Sequence, residues 1–254
     1  MTKYHFMLPK ISIITVVRNN ADPLKQTLNS LLSLDYANKE LIVIDGNSTD
    51  STVSVIAEFA ERLSYSISEP DGGIYDAMNK GLRVATGDYV WFMNAGDLPY
   101  STTVLSDIFA HSTAFADIYY GEAMIVSVEG KELGLRRKKT PKTLTAKSFL
   151  RGMTICHQSI LIKRAIAPMY NLKLRYVADI EWVIQSATSA NSCENSGAII
   201  SKFSEGGFST ANKWASLKER FGVMRKHYGL TKTIVAHVRF VAEMMTRQKY
   251  RAHK

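Results

Sequence analysis

Apolar and polar positions along the first hundred residues switch repeatedly between two periods. Short β-branched runs, of the kind buried on both faces of a sheet, alternate with stretches whose apolar residues recur every three or four positions. That alternation predicts βαβ units around a mostly parallel sheet flanked by helices, an α/β fold. Ile11–Val17 reads as the first strand, and Asp22 with Pro23 opens a helix to about Leu32. A second buried run over 41–44 ends at Asp45, after which Ser48, Thr49 and Asp50 supply N-cap chemistry for a helix to about Arg62. A third strand spans 64–68. The helix over 74–85 carries Ile74, Ala77, Met78, Leu82 and Ala85 at helical spacing, and the strand over 89–93 delivers Asn94 and Asp97 to the same edge as Asp45.

Beyond Asp97 the pattern becomes mixed. It predicts a helix over 101–111, strands over 117–128 and 133–139 joined by a turn at 129–131, and a helix near 145–150. A strand over 159–162, a helix over 179–190 and a strand over 198–203 follow. From Ala211 onward the chain reads as two helices broken near Gly229. The expected organisation is an α/β domain over 1–210 and a helical extension over 211–254.

Charge sharpens that division. Eleven of the 32 Lys and Arg, against only Glu219 and Glu243 of the 23 acids, fall from Lys213 to Lys254, which leaves 21 of each sign in the remainder. The whole formal charge of +9 therefore belongs to the extension. Hydrophobic content of 46% with 22% charged is that of a soluble globular protein, and no run of about 18 apolar residues offers a spanning helix. Residues 1–10 carry no apolar region of the secretory kind, so the cytoplasm is the expected compartment. Cys156 and Cys193 share no metal-ligand or redox spacing and read as buried free thiols. A nucleophilic Cys156–His157 pair is disfavoured, because neighbours in an extended segment point to opposite faces.

The candidate chemistry gathers at strand ends. Asp97 stands beside Gly96 on the tight turn that closes a strand, where open α/β sheets bind ligands. A lone carboxylate there suits a magnesium-like cation that also holds a diphosphate, since such ions take one or two protein carboxylates and leave the rest to phosphate and water. Asp45, followed by Gly46, is expected to stand clear in the same cleft or else to cap the next turn. Glu69, Asp71, Gly72 and Gly73 form an acidic turn ahead of a helix whose free N–H groups suit an anion, with Asp71 a ligand contact, an N-cap or both. Tyr75, Asp76, Asn79, Lys80 and Arg83 form that helix's polar face, with Asp76 and Lys80 spaced for an ion pair. Asp179 begins a later helix, where a general base and a cap look alike.

The block Ser68-Glu-Pro-Asp-Gly-Gly-Ile-Tyr-Asp-Ala-Met-Asn-Lys-Gly81, followed by Asn94-Ala-Gly-Asp97, resembles the bacterial family 2 glycosyltransferases with the GT-A fold. The wording is closest to colanic-acid-type exopolysaccharide enzymes, and the resemblance runs from about Ile11 to about Thr210. It implies an inverting transfer of sugar from a nucleoside-diphosphate donor to a hydroxyl of a glycan or lipid-linked oligosaccharide. It also implies that Asp45 bonds the nucleobase, that Thr15 and Arg18 border the nucleotide, and that Asp71 and Asn79 flank the donor. Many members have Arg where this chain has Met78, leaving Lys80 or Arg83 to contact the diphosphate. Asp97 would hold Mg²⁺ or Mn²⁺ with the donor bound, although the family commonly places two acids in this turn. Asp179 matches the acid that takes the acceptor's proton, with Glu181 the alternate. Asn94, His157, Gln158, Gly206 and Gly207 fall where the family lines the acceptor or orders the diphosphate.

Several rival readings share parts of this pattern. A nucleotidyltransferase needs a glycine-rich basic N-terminal loop, which Val16-Val-Arg-Asn-Asn20 is not. The basic tail prompts a nucleic-acid module, yet no RRM, KH or zinc pattern accompanies it. The single acid at Asp97 leaves an inactive glycosyltransferase-like assembly protein open. Arg136-Arg-Lys-Lys139 suits either acceptor phosphates or a charged sheet edge. In the tail, Ile234, Val235, Val238, Val241, Ala242 and Met245 lie at helical spacing among basic residues. That stripe either meets an anionic bilayer as a peripheral anchor or packs on the domain.

Overall fold

The computed structural model describes residues 8–110, 114–127, 130–204, 212–244 and 250–251. The first half of the chain forms β1 (Ile11–Val17), α1 (Ala21–Leu32), β2 (Lys39–Asp45), α2 (Thr52–Glu58), β3 (Tyr65–Ser68), α3 (Ile74–Val84) and β4 (Tyr89–Phe92). There follow β5 (Leu98–Pro99), α4 (Val104–Phe109), β6 (Ile118–Val126), β7 (Glu132–Arg136), β8 (Ile160–Lys163), α5 (Ala178–Ser189) and β9 (Cys193–Ser204). The C-terminal part holds α6 (Lys213–Tyr228), α7 (Leu230–Met244) and β10 (Tyr250–Arg251).

Strands β3, β2, β1 and β4 lie side by side in that order and all run parallel. β8 joins β4 antiparallel, and β6 and β7 continue outward antiparallel. β9 runs parallel along β6 and also pairs with β5. The sheet is thus a parallel half carrying a mixed extension.

Alternation along the parallel strands divides two cores. Ile14, Val16, Ile42, Ile44, Val90 and Phe92 face Ala77, Met78 and Leu82 of α3 and Ile180, Trp182 and Val183 of α5. Ile11, Ile13, Leu41, Tyr89 and Trp91 face the other way, onto Leu31 of α1 and Leu105 and Ile108 of α4. α3 approaches β1 so closely that a Cβ at Gly81 would sit inside the Ile14 side chain. Because the four strands are parallel, their C-terminal ends, and the loops leaving them, share one edge of the sheet.

Several expected elements differ in extent. The helix after Asp50 begins at Thr52 and ends at Glu58, with a 3-10 turn over Ala60–Arg62. Asn20, not Asp22, occupies the cap position of α1. The helix expected near 145–150 is a 3-10 turn over Ala146–Arg151, opened by a Thr145/Ser148 capping box and closed at Gly152 with φ +83. The strand expected over 133–139 stops at Arg136, while β9 begins five residues earlier than its apolar run because the edge of β6 gives Cys193 to Asn195 partners. The turn at 129 and the domain boundary expected at 210/211 fall outside the described residues.

The basic extension does not stand apart. Val223 of α6 enters the main core, Tyr228 packs against it, and Tyr228 Oη donates to Ala146 O at 2.5 Å.

Candidate active site

Three loops at the C-terminal edge of the parallel strands build the first part of the site. After β2, Asp45 is 0% exposed. Its carboxylate accepts from Ser48 N at 2.9 Å, from Ser48 Oγ, and from Ser68 Oγ at 2.5 Å. The clear stance expected of Asp45 is therefore not found: it is buried and accepts three bonds from Ser48 and Ser68, and the turn-capping alternative describes its geometry. Thr15, one strand over, is also buried, while Arg18 at the end of β1 is exposed.

Asp71 takes the position that Asp45 does not. Its Oδ1 accepts from Gly73 N at 2.8 Å, and its Oδ2 lies over Gly46, where the Arg18 side chain also passes. A Cβ at Gly46 would displace that carboxylate, so the missing side chain is what lets Asp71 lie over the end of β2, with the Arg18 side chain also beside Gly46. The expected Asp76–Lys80 pair does not form. Asp76 Oδ2 instead accepts from Gly72 N at 3.0 Å, and Lys80 ties the turn to α3 through Pro70 O at 2.8 Å and Glu69 at 2.7 Å. Asn79 also departs from the expected polar face. It is 2% exposed, and its amide both accepts from Tyr170 N at 2.7 Å and donates to Tyr170 O at 3.0 Å, so it braces the 170 loop.

After β4, Thr27 of α1 shapes the turn that carries Asp97. Its hydroxyl accepts from Gly96 N at 2.9 Å and donates to Asp97 O at 2.9 Å, with Gly96 at φ +99. Asp97 is 6% exposed, and its Oδ2 accepts from Gln158 Nε2 at 2.8 Å. Burial pushes its carboxyl up to about 7, against the lowering effect of the Gln158 bond. Asn94 Oδ1, in the same turn, is buried without a hydrogen-bond partner. A carboxylate and an orphaned carboxamide oxygen are hard donors that fit Mg²⁺ or Mn²⁺. Among the described residues no three His, Cys, Asp or Glu converge, so such a cation would need further oxygens from its ligand.

The second part of the site comes from α5. Asp179 Oδ1 accepts from Tyr75 Oη at 3.2 Å, which joins the first turn of α3 to the first turn of α5 across 104 residues. Burial raises the Asp179 carboxyl above its ordinary value, opposed by bonds from Ile180 N and Tyr75 and by the Arg220 charge. Tyr75 stacks on Tyr170 at 5.4 Å, and Tyr170 on Trp182 at 5.1 Å. His157 stands in this aromatic group with its Nε2 2.7 Å from Tyr170 Oη, and burial lowers it to about 4. It is a neutral bracing group. Glu181 faces elsewhere: its carboxylate takes Asn171 Nδ2 at 2.8 Å and Lys226 Nζ at 2.7 Å, so it is committed to anchoring α6.

Cys156 is linked to Asp97 through Gln158. Its Sγ donates to Gln158 Oε1 at 3.0 Å, and the charges of both Asp97 and Asp179 act on it. Asp71, Asp97, Gln158 and Asp179 thus line one strand edge. Gly206 and Gly207 lie outside the described residues. Sequence reasoning missed the structural parts of Tyr75, Tyr170 and Arg220. Tyr75 lies within the Ser68–Gly81 segment, whereas Tyr170 and Arg220 carry no local signal.

A parallel sheet flanked by helices, with a carboxylate turn after its fourth strand, is a GT-A-like α/β fold. Residues 12–167 match Glycosyl transferase family 2, more than half of the chain, and the chain belongs to that family. An uncharacterised glycosyltransferase of Mycobacterium tuberculosis is 30% identical over 188 residues, 70% of this chain and 69% of the relative. A PGL/p-HBAD biosynthesis glycosyltransferase of Mycobacterium bovis is 29% identical over 204 residues, 77% and 73% of the two chains. In fold, the chain resembles Staphylococcus aureus TarS 1-349 in complex with UDP-GlcNAc, with TM-score 0.71 and 18% identity over 91% of this chain and 73% of that one. It also resembles the mannosyltransferase PcManGT of Pyrobaculum calidifontis in complex with GDP-Man and Mn²⁺, with TM-score 0.63 and 15% identity over 96% and 77%. The chain is a glycosyltransferase, and the nucleotidyltransferase alternative is not favoured.

Proposed function

We propose that this enzyme moves a sugar from a nucleoside-diphosphate donor to a hydroxyl of a growing glycan, with inversion, in the building of an exopolysaccharide, capsule or O-antigen. The carrying observation is the pair of raised carboxylates at one strand edge, Asp97 held by Gln158 after β4 and Asp179 held by Tyr75 at the start of α5. The UDP-GlcNAc and GDP-Man complexes of the two structural neighbours support the donor class. Asp71 and Arg18 border the nucleotide over Gly46, in place of Asp45. Asp97 and Asn94 would hold Mg²⁺ or Mn²⁺, which would supply Lewis-acid stabilisation of the diphosphate's charge. Asp179 takes the proton of the acceptor hydroxyl, and its raised pKa makes it the stronger base. Tyr75 fixes the orientation of that carboxylate.

Thermal-shift titration with UDP-, GDP- and dTDP-sugars, with and without Mn²⁺, tests the donor half, because a ligand bound only by the native state raises stability. One sugar nucleotide should raise the melting temperature more with the cation than without it. Consumption of a nucleoside triphosphate in place of a sugar nucleotide would overturn the reading. Asp179→Asn should retain the donor shift while transfer falls about 10²–10⁴-fold.

A further inference from the structure

The α6–α7 hairpin has a face that the proposed chemistry does not use. α7 turns Thr233, Ala236 and Phe240 inward, toward the turn at 146–151 and Met224. On its opposite side Ile234, Val235 and Val238 are 48%, 53% and 66% exposed. At about 100° per residue, this row lies roughly opposite the buried one, where a helix facing only water would be polar. α6 extends the row. Phe221 borders a cavity of about 370 Å³ with Ile234 and Val238, and Trp214, two turns away on the same side of α6, is 80% exposed.

The rim of this face is cationic. Lys218 and Arg225 on α6 and Lys232 and Arg239 on α7 are all exposed. Glu219 is turned away, accepting from the amides of Arg175 and Tyr176 at 2.9 and 2.8 Å. A second groove of about 350 Å³ places Lys232 and Arg239 beside Leu150 and Val235, so charge and apolar surface adjoin at lipid scale.

We propose that this face docks on an anionic phospholipid bilayer, with the apolar row at the acyl boundary and the four cations among the headgroups. Basic amphipathic helices bind by apolar area together with charge, and an exposed Trp suits the interface. A second copy of the chain is a poor occupant, because pairing this face with itself sets four cations against four. The opposite side of α6 packs on α5, so the docked surface stands about one helix diameter, ~10 Å, from the helix bearing Asp179. A lipid-anchored acceptor would then be offered at the proposed site. That last clause rests on the proposed function; the docking does not.

The test uses the full chain with vesicles of mixed phosphatidylglycerol and phosphatidylcholine, and with phosphatidylcholine alone. Co-sedimentation with the mixed vesicles, weakened by salt, is expected, with little on the neutral ones. Trp91 and Trp182 are 0% and 2% exposed, so a blue shift of tryptophan emission reports Trp214 and should vanish in Trp214→Phe. Val238→Glu, at an exposed position, should bind the mixed vesicles at least about tenfold more weakly, as a charge replaces buried apolar area. Absence of binding to anionic vesicles, or equal binding by Val238→Glu, overturns the proposal. Self-association that Val238→Glu abolishes, with no vesicle binding, assigns the face to a second copy and overturns it too. The donor thermal shift, measured on the same samples, separates failure of docking from failure of the enzymatic reading.

Discussion

At the scale of single residues, the site is built from acids held in unfavourable surroundings. Asp97 rises from an ordinary 3.8 to about 7, so between those values the folded chain holds a proton that the unfolded chain has released. The contribution of that proton to stability is full below about 4 and is lost as pH rises through about 7. Asp97→Asn keeps an acceptor for Gln158 and removes this loss. It should stabilise the ligand-free protein by about 2–4 kcal/mol at pH 8, with the gain fading in acid, while the Mn²⁺-dependent donor shift disappears. Denaturant titrations at the two pH values check both parts. Tyr75→Phe removes a bond that lowers the Asp179 pKa. The acid limb of the rate profile should therefore move to higher pH, with kcat reduced several-fold and KM for the donor little changed.

At the scale of elements, two contacts decide how helices sit on the sheet. Gly81→Ala forces α3 off Ile14 and should cost about 1–3 kcal/mol, read as a lower midpoint in urea. The α5–α6 contact depends on Glu181, 3% exposed at its side chain and bonded to Lys226. Burial alone would raise this carboxyl, yet its bonds with Lys226, Asn171 and His227 bring it below its ordinary value. Its contribution is present above the ordinary 4.5 and is lost as pH falls. Lys226→Ala should destabilise by about 1–3 kcal/mol at neutral pH, and the deficit should shrink in acid. Strands β1, β2 and β4 were legible because burial on both faces writes itself as apolar runs, as in Ile11–Val17. The start of β9 was not. Cys193 to Asn195 are ordered by the waiting edge of β6, a partner more than seventy residues away that no local period reveals.

At the scale of the whole molecule, the same distinction governs the site. Asp97 and Asp71 could be read from their own turns, since Gly96, Gly72 and Gly73 stand beside them in sequence. The engagement of Asp45 by Ser68, of Asn79 by Tyr170 and of Asp179 by Tyr75 depends on chain folded back over long separations. The extension was expected to add charge; it also contributes Val223 to the core and the Arg220 charge near Asp179. A chain ended after residue 210 should therefore lose transfer and yield little soluble protein, measured by expression and by activity against the full chain. Glu219 holds the amides that lead into α5, and the charge of its neighbour Arg220 opposes, with the bonds from Ile180 and Tyr75, the effect of burial on Asp179. Chimeras that exchange C-terminal segments between related enzymes to retarget them will for that reason work only when the donor of the new tail brings matching side chains at these two places. Otherwise the swap rewires the reaction centre along with the address.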